Sequence, residues 1–161
     1  MIARLVRKHE EVVGVKLTCG SVAKITRLAA EFPPERFAVF GGQSDFLIGG
    51  LAVGSAGCIA AFANVFPKTV VEVYNLHKAG NTQEALELHR KTALAEQVLK
   101  AGGIAGTKYA ASVFTGPAAG IEHAEEKMRP RRPYLPPGEE FKRKVREALA
   151  EVAEIERSIV R

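Results

Sequence analysis

The sequence is poor in the residues that mark secreted and metal-binding proteins. Its 161 residues include two cysteines and no tryptophan, and the cysteines do not form a CxxC motif. Because two thiols without a secretory leader are typical of a reducing compartment, we expect free cysteines and a cytoplasmic location. The four histidines are too widely spread to have metal-ligand spacing, so no metal is predicted.

Long apolar runs and nucleotide-binding motifs are also lacking. The longest apolar stretch, residues 48–66, contains four glycines and precedes a proline, which favours a helix, a turn and a strand over a membrane span. A G-x-G-x-x-G fingerprint is absent, so no dinucleotide-binding motif is predicted. The net charge is +5, but the basic residues are scattered and have no interleaved aromatic residues, which argues against nucleic acid as a partner.

Three short apolar segments, each followed by a helical pattern, occupy the first half of the chain. They are residues 12–17, 36–40 and 57–62. The first is rich in β-branched residues, which predicts a strand buried on both faces. Ser21 is a predicted N-cap for the helix that follows this strand. Strands that alternate with helices at this spacing predict βαβ units and a parallel sheet.

The second half of the chain has a helical pattern throughout. A long amphipathic helix is predicted over residues 82–101, and Gly102-Gly103 should end it. A short helix over 107–114, a proline-rich loop over 117–137 and a charged helix over 139–161 follow. We therefore expect two regions, an α/β part at 1–80 and a helical part at 81–161.

The sharpest chemical signal is Lys16, near the carboxyl end of the first predicted strand. A lysine inside a buried strand is costly unless it is paired or functional. Desolvation favours the neutral amine, which is the nucleophile that attacks a ketone. Active sites of parallel barrels lie at the carboxyl ends of the strands. On the residues alone, the alternative is a lysine whose amine reaches out to solvent.

A family resemblance is carried by three segments, VVGVKLTCG (12–20), FAVFGG (37–42) and GSAGCIAAFANVFP (54–67). In order and spacing they resemble the last three strand segments of the dihydrodipicolinate synthase / N-acetylneuraminate lyase family. GGIAGTKY (102–109) is similar to a segment of the family's helical tail. Within the family, the similarity is greatest to the 2-keto-3-deoxy sugar acid and hydroxy-oxoglutarate aldolase branches.

The resemblance implies an α/β fold, an incomplete (β/α)8 TIM barrel made of the last three βα units plus a C-terminal helical extension. It also implies a class I, Schiff-base aldolase that acts on 2-keto acids such as pyruvate-derived 2-keto-3-deoxy sugar acids. No metal or organic cofactor is implied, and the expected partner is a small 2-keto acid.

The resemblance assigns roles to four residues. Lys16 matches the lysine that forms an imine with the keto acid, and Thr18 matches a position that reaches substrate hydroxyls. Gly42 matches a glycine where the backbone approaches the substrate, and the backbone carbonyl of Ile59 matches part of the pocket wall. For Gly42 and Ile59, a plain turn and a plain core residue remain open alternatives.

Two parts of the family pattern are not found, a glycine-rich loop that binds the carboxylate and a strand-borne tyrosine that moves protons. We therefore expect the first part of the barrel to be missing and activity to be weak or absent. The alternative function is that of a non-catalytic truncated paralogue that acts only by association. The edges of the first and third strands lack protective charges or prolines, which predicts a homo-oligomer or association with a related chain.

Overall fold

The structure is a computed structural model that describes residues 1–160. It divides into two compact units that meet at Ala60 and Ala61. The boundary thus lies ahead of the expected one at residue 80, because the helix at 67–78 packs against the later helices of the chain. Among the residues described, none of the helices has both the length and the apolar character needed to cross a bilayer.

The first unit is a parallel sheet with connecting helices. Its elements are α1 (Ile2–Lys8), β1 (Gly14–Leu17), α2 (Val22–Glu31), β2 (Ala38–Gly41), α3 (Leu47–Leu51) and β3 (Gly57–Cys58). The strands lie in the order β1-β2-β3 and all pair in parallel. The predicted strand–helix alternation and parallel sheet are confirmed.

One face of this sheet is covered and the other is open. Leu17 and Val39 pack into a buried cluster with Ile25 of α2 and Val6 of α1. On β1, however, Lys16 is exposed. The prediction of a strand buried on both faces is wrong for this chain, because helices cover only one side of β1.

The third strand is shorter than predicted. Only Gly57–Cys58 forms a strand, Ile59 and Ala60 lie in no regular element, and the last two residues of the predicted strand at 57–62 belong to a 3-10 helix at Ala61–Asn64. The side-chain amide of Asn64 donates to the carbonyl of Ala61 (3.0 Å), and Phe62 is buried. Phe62 is therefore buried although it lies in a helical turn. An apolar residue at this position does not require a strand.

Arg36, just before β2, ties the beginning of the first unit together. Its guanidinium donates to the carbonyl oxygens of Val6 (2.7 Å), His9 (3.1 Å) and Val12 (2.8 Å). These carbonyls lie at the end of α1 and in the segment before β1, and that of His9 also accepts the Val12 amide (3.3 Å). One side chain therefore supplies hydrogen-bond donors to three main-chain carbonyls of this segment.

The second unit is helical. After the 3-10 helix it contains α4 (Pro67–Lys78), α5 (Thr82–Phe114), α6 (Ala124–Lys127) and α7 (Glu139–Ser158). The predicted break of the long helix is confirmed, because Gly103 has φ 54° and ψ −141° and separates two helical stretches within α5. The last helix was predicted to reach residue 161. Its described part ends at Ser158, and Arg161 lies outside the described residues.

Packing in this unit relies on α7. The Glu156 carboxylate accepts hydrogen bonds from the amides of Lys68 (2.9 Å) and Thr69 (2.7 Å), which caps the start of α4. The ring of Phe141 lies directly against Gly102 and Gly106 of α5. The two glycines therefore form a notch that admits an aromatic ring.

Candidate active site

Lys16 lies on β1, in register with Phe40 of β2, which in turn is in register with Gly57 of β3. Registered residues of neighbouring strands share a face of the sheet. Lys16 therefore lies beside Phe40 on the face that α1 and α2 leave open, one residue before the end of β1. Its side chain is exposed, so the residues described do not supply the desolvation that the sequence argument assumed.

Thr18 and Gly42 follow the ends of β1 and β2 and lie in contact. The Gly42 amide donates to the carbonyl of Leu17 at 2.9 Å. A Cβ placed on Gly42 would lie 2.5 Å from Thr18 Cα and 2.8 Å from Thr18 Cβ. The close approach of the segments that contain Thr18 and Gly42 is thus enough to explain why position 42 is a glycine.

Ile59 follows β3 at the same end of the sheet. Its amide donates to the carbonyl of Gly41 at 2.8 Å, and its side chain is half exposed. The candidate residues Lys16, Thr18, Gly42 and Ile59 are thereby brought to one edge, the carboxyl ends of three parallel strands. That is the edge where parallel α/β proteins bind their ligands.

Ser55 is a buried residue that the sequence argument missed. Its Oγ lies 3.0 Å from the carbonyl oxygen of Val39 and 2.7 Å from that of Gly57, and it accepts the Gly57 amide at 3.1 Å. The Ala56 amide also donates to Val39 (2.8 Å). Ser55 thus holds β3 against β2. The only sequence signal for this role was the position of the serine between Gly57 and Gly54, the glycine that ends the preceding helix.

Cys19 has a polar environment that the sequence argument also missed. It is exposed in the turn after β1, and Lys24 Nζ lies 3.6 Å from its Sγ. The backbone amide of Ser21 and, to a lesser extent, the charge of Lys24 lower the pKa of the Cys19 thiol. The predicted N-cap is confirmed here, because Ser21 Oγ accepts the Lys24 amide at 3.4 Å.

The tyrosines lie in the second unit. Tyr74 is on α4, Tyr109 is buried on α5, and Tyr134 is in the loop before α7. Tyr109 hydrogen-bonds to Arg146 through its hydroxyl. Residues 1–60 therefore offer an amine nucleophile but no phenol for proton transfer. Within residues 1–160, no group of three potential metal ligands is present.

Comparison with known families and proteins identifies the relatives of this chain. The Dihydrodipicolinate synthetase family matches residues 1–152. A Coccidioides immitis protein named as a mitochondrial 4-hydroxy-2-oxoglutarate aldolase is 68% identical over 156 residues, which is 97% of this chain and 49% of that protein. An Emericella nidulans protein named for the same activity and location is 34% identical over 151 residues, 94% of this chain and 46% of that protein. The chain thus spans about half the length of these relatives.

Solved structures agree on the fold. A dihydrodipicolinate synthase family protein from Coccidioides immitis superposes with a TM-score of 0.93 and 65% identity, and the match covers 99% of this chain and 51% of that one. YagE of Escherichia coli K12, solved in complex with pyruvate, gives a TM-score of 0.80 at 21% identity over 94% of this chain and 49% of that one, a likeness of fold alone. The fold is the α/β fold of this group of barrel proteins, about half of which is present. The chain belongs to the dihydrodipicolinate synthetase family.

The names of the two fungal relatives correct one prediction. Both place those proteins in mitochondria, so the cytoplasmic location expected from the sequence is wrong. The prediction relied on reduced cysteines and on an N-terminus without a secretory leader. Reduced cysteines do not distinguish one reducing compartment from another, so they gave no basis for choosing the cytoplasm.

Proposed function

We propose that this chain supplies the imine-forming lysine of a class I aldolase that acts on 2-keto acids, and that it works in mitochondria as its fungal relatives are named to do. One observation carries the proposal. Lys16 is the only lysine in the three strands, and it stands near the carboxyl end of β1 within the family motif. Thr18, Gly42 and Ile59 at the same edge are the proposed substrate-binding residues.

The proposed reaction needs no metal or organic cofactor. The Lys16 amine attacks the ketone carbon of the 2-keto acid, and loss of water gives an imine. The protonated imine accepts the electron pair of the carbon–carbon bond as that bond breaks, which releases an aldehyde and leaves an enamine. Protonation of the enamine and hydrolysis then release the smaller keto acid and the free amine. A general acid/base group must move these protons.

The proposal is tested by trapping the imine. The protein is incubated with pyruvate and sodium borohydride, and the reduced adduct is mapped by mass spectrometry. We expect the adduct on Lys16 and its loss in Lys16→Ala. Lys24→Ala, which removes a lysine from α2 of the same unit, is the matched control and should leave the labelling unchanged.

Two outcomes would contradict the proposal. Labelling of Lys100 or Lys108 on α5 would show that surface lysines react and that Lys16 has no special role. Absence of any adduct would favour the second candidate, a non-catalytic chain that acts by association. The open face of the first unit is the observation that favours this second candidate.

A further inference from the structure

Phe40 is the large side chain that lies beside Lys16 on the same face of the sheet. The two residues are in register on β1 and β2, and neighbouring strands lie about 4.8 Å apart. The other strand residues that share this face are small, namely Gly14, Ala38 and Gly57. Within the three described strands, the space next to the Lys16 amine is therefore shaped mainly by one aromatic ring.

The ring of Phe40 extends over Gly57 of β3. A Cβ built on Gly57 would lie 3.9 Å from Phe40 Cδ1 and 4.0 Å from Cε1, so the ring covers the place where a side chain would begin. Gly57 is buried and has φ 151°, a conformation that residues with a side chain rarely adopt. Glycine at position 57 therefore leaves room for the ring, which forms an apolar wall on the side of Lys16 that faces β2 and β3.

An apolar wall beside the amine determines how a 2-keto acid is oriented. When the Lys16 amine attacks the ketone, the ketone carbon carries a carboxylate on one side and the carbon chain on the other. A carboxylate placed against an aromatic ring loses hydration without gaining a hydrogen-bond partner, which is costly. We therefore expect the carbon chain, beginning with C3, to lie against Phe40 and the carboxylate to point away from it.

We propose that Phe40 is a specificity-determining residue of the Lys16 site and that it selects 2-keto acids whose C3 carbon is unbranched. A C3 methylene can lie flat against the ring, whereas a branch on C3 must occupy the volume that the ring fills. This inference deepens the proposed function and rests on it for the imine. The steric restriction itself applies to any carbonyl compound that reaches the Lys16 amine.

The experiment compares two keto acids that differ by one methyl group on C3. The 161-residue chain is incubated with 2-oxobutanoate or 3-methyl-2-oxobutanoate and sodium cyanoborohydride, and the rate of Lys16 adduct formation is measured by mass spectrometry. The ratio of the two rates is compared between Phe40→Ala and wild type, which cancels the intrinsic reactivity of each acid. Phe40→Ala should lower the preference for 2-oxobutanoate about tenfold, the discrimination typical of one methyl-sized group in an apolar pocket. An unchanged ratio would overturn the inference.

A second substitution keeps the test informative if Phe40→Ala fails to fold, which a thermal melt checks. Phe40→Leu keeps an apolar side chain beside Gly57 but removes the ring, and it should shift the ratio in the same direction by a smaller factor. Leu5→Ala, which removes an exposed apolar side chain from α1 of the same unit, is the control and should leave the ratio unchanged. An equal shift in Leu5→Ala would overturn the inference, because a general loosening of the unit would then explain it.

A pair of aldehydes tests access to Lys16 without any keto acid. Acetaldehyde and the bulkier 2,2-dimethylpropanal both alkylate lysine amines through an imine that cyanoborohydride reduces. In wild type, the bulkier aldehyde should be disfavoured more strongly at Lys16 than at the exposed Lys8 of α1, and Phe40→Ala should remove this difference. Equal size dependence at both lysines in wild type would overturn the inference. A size effect with aldehydes but no keto-acid adduct would refute the proposed function and leave Phe40 as the group that limits access to Lys16.

Discussion

At the scale of single residues, the surrounding structure changes the chemistry of Cys19. The Ser21 amide and then the charge of Lys24 lower the pKa of this thiol, so the thiolate persists to lower pH than in an ordinary cysteine. We predict that iodoacetamide modifies Cys19 faster than the half-buried Cys58 at neutral pH. Mass spectrometry of the two cysteine peptides over a pH series measures both rates.

The same series can isolate the contribution of Lys24. Lys24→Met should move the midpoint of the Cys19 alkylation profile to higher pH, but only partly, because the Ser21 amide remains. Lys8→Met, on the exposed surface of α1, is the control and should leave the midpoint unchanged. An identical midpoint in Lys24→Met and wild type would show that the lysine does not act on the thiol.

Gly42 is a second residue at which the local geometry makes a prediction. Because a Cβ would lie 2.5 Å from Thr18 Cα, Gly42→Ala must displace one of two chain segments. We expect a loss of about 1–3 kcal/mol in the free energy of unfolding, as for overpacked sites, measured by urea denaturation. Gly49→Ala in the same unit is the control, since its Cβ would meet only Val22 Cγ2 at 3.8 Å. Equal stability of both variants would contradict the crowding argument.

The role of a single residue could be predicted where its contacts are made by residues close to it in sequence. The cap at Ser21 was predictable, because a serine before a helical stripe needs only the next few residues. The role of Ser55 was not, because the Val39 carbonyl reaches it only after folding. The roles of Lys16, Thr18, Gly42 and Ile59 in binding and catalysis stay predictions.

At the scale of elements, the notch between α5 and α7 provides a further test. A Cβ on Gly106 would lie 2.9 Å from Phe141 Cε1, against an aromatic ring with little freedom. Although alanine favours a helix over glycine by up to about 1 kcal/mol, we predict that Gly106→Ala lowers the thermal midpoint because the overlap costs more.

A double-mutant cycle shows whether the ring is the cause. In a Phe141→Leu background, the clash is relieved, and Gly106→Ala should become neutral or stabilising. A Gly106→Ala protein that melts at or above the wild-type temperature would contradict the prediction. Calorimetry of the four proteins completes the cycle.

The elements also show where sequence patterns are ambiguous. The break at Gly102-Gly103 was predictable from the dipeptide, but the Phe141 ring that makes glycine necessary at 102 and 106 is supplied by a helix about 35–40 residues later. The run at 57–62 was wrongly predicted as one strand, because a short apolar run fits a strand or a buried turn equally well. In the structure the Asn64 side chain closes the turn onto Ala61, and the amides of Val65 and Phe66 both donate to the carbonyl of Phe62.

At the scale of the whole molecule, the proposed function predicts slow turnover by this chain on its own. Residues 1–60 contain Lys16 but no tyrosine, and a missing general acid/base group costs about 10²–10⁴ in rate. We expect kcat for cleavage of a 2-keto-3-deoxy acid at least ~10³-fold below the roughly 10 s⁻¹ of a typical enzyme. A steady-state assay with Lys16→Ala as the blank measures it. A homogeneous preparation that reaches about 1–10 s⁻¹ would refute the prediction.

The overall architecture was predictable only in part. Strand–helix alternation indicated a parallel sheet in which strands that are consecutive in sequence are also neighbours, since such connections are local in sequence. The division at Ala60 was not visible, because it depends on the packing of α4 against α5 and α7, with Glu156 of α7 reaching the start of α4. Sequence periodicity describes the faces of single helices and does not say which helices they meet.

The contacts of Arg36 have a consequence for synthesis of the protein on the ribosome. Translation proceeds at about 5–20 residues per second, so the carbonyls of Val6, His9 and Val12 leave the ribosome seconds before the guanidinium that binds them. During that interval these oxygens lack the guanidinium, although the His9 carbonyl can already accept the amide of Val12 (3.3 Å). The segment from Val6 to Val12 therefore acquires its contacts with Arg36 only after the residue that begins the approach to β2 has emerged.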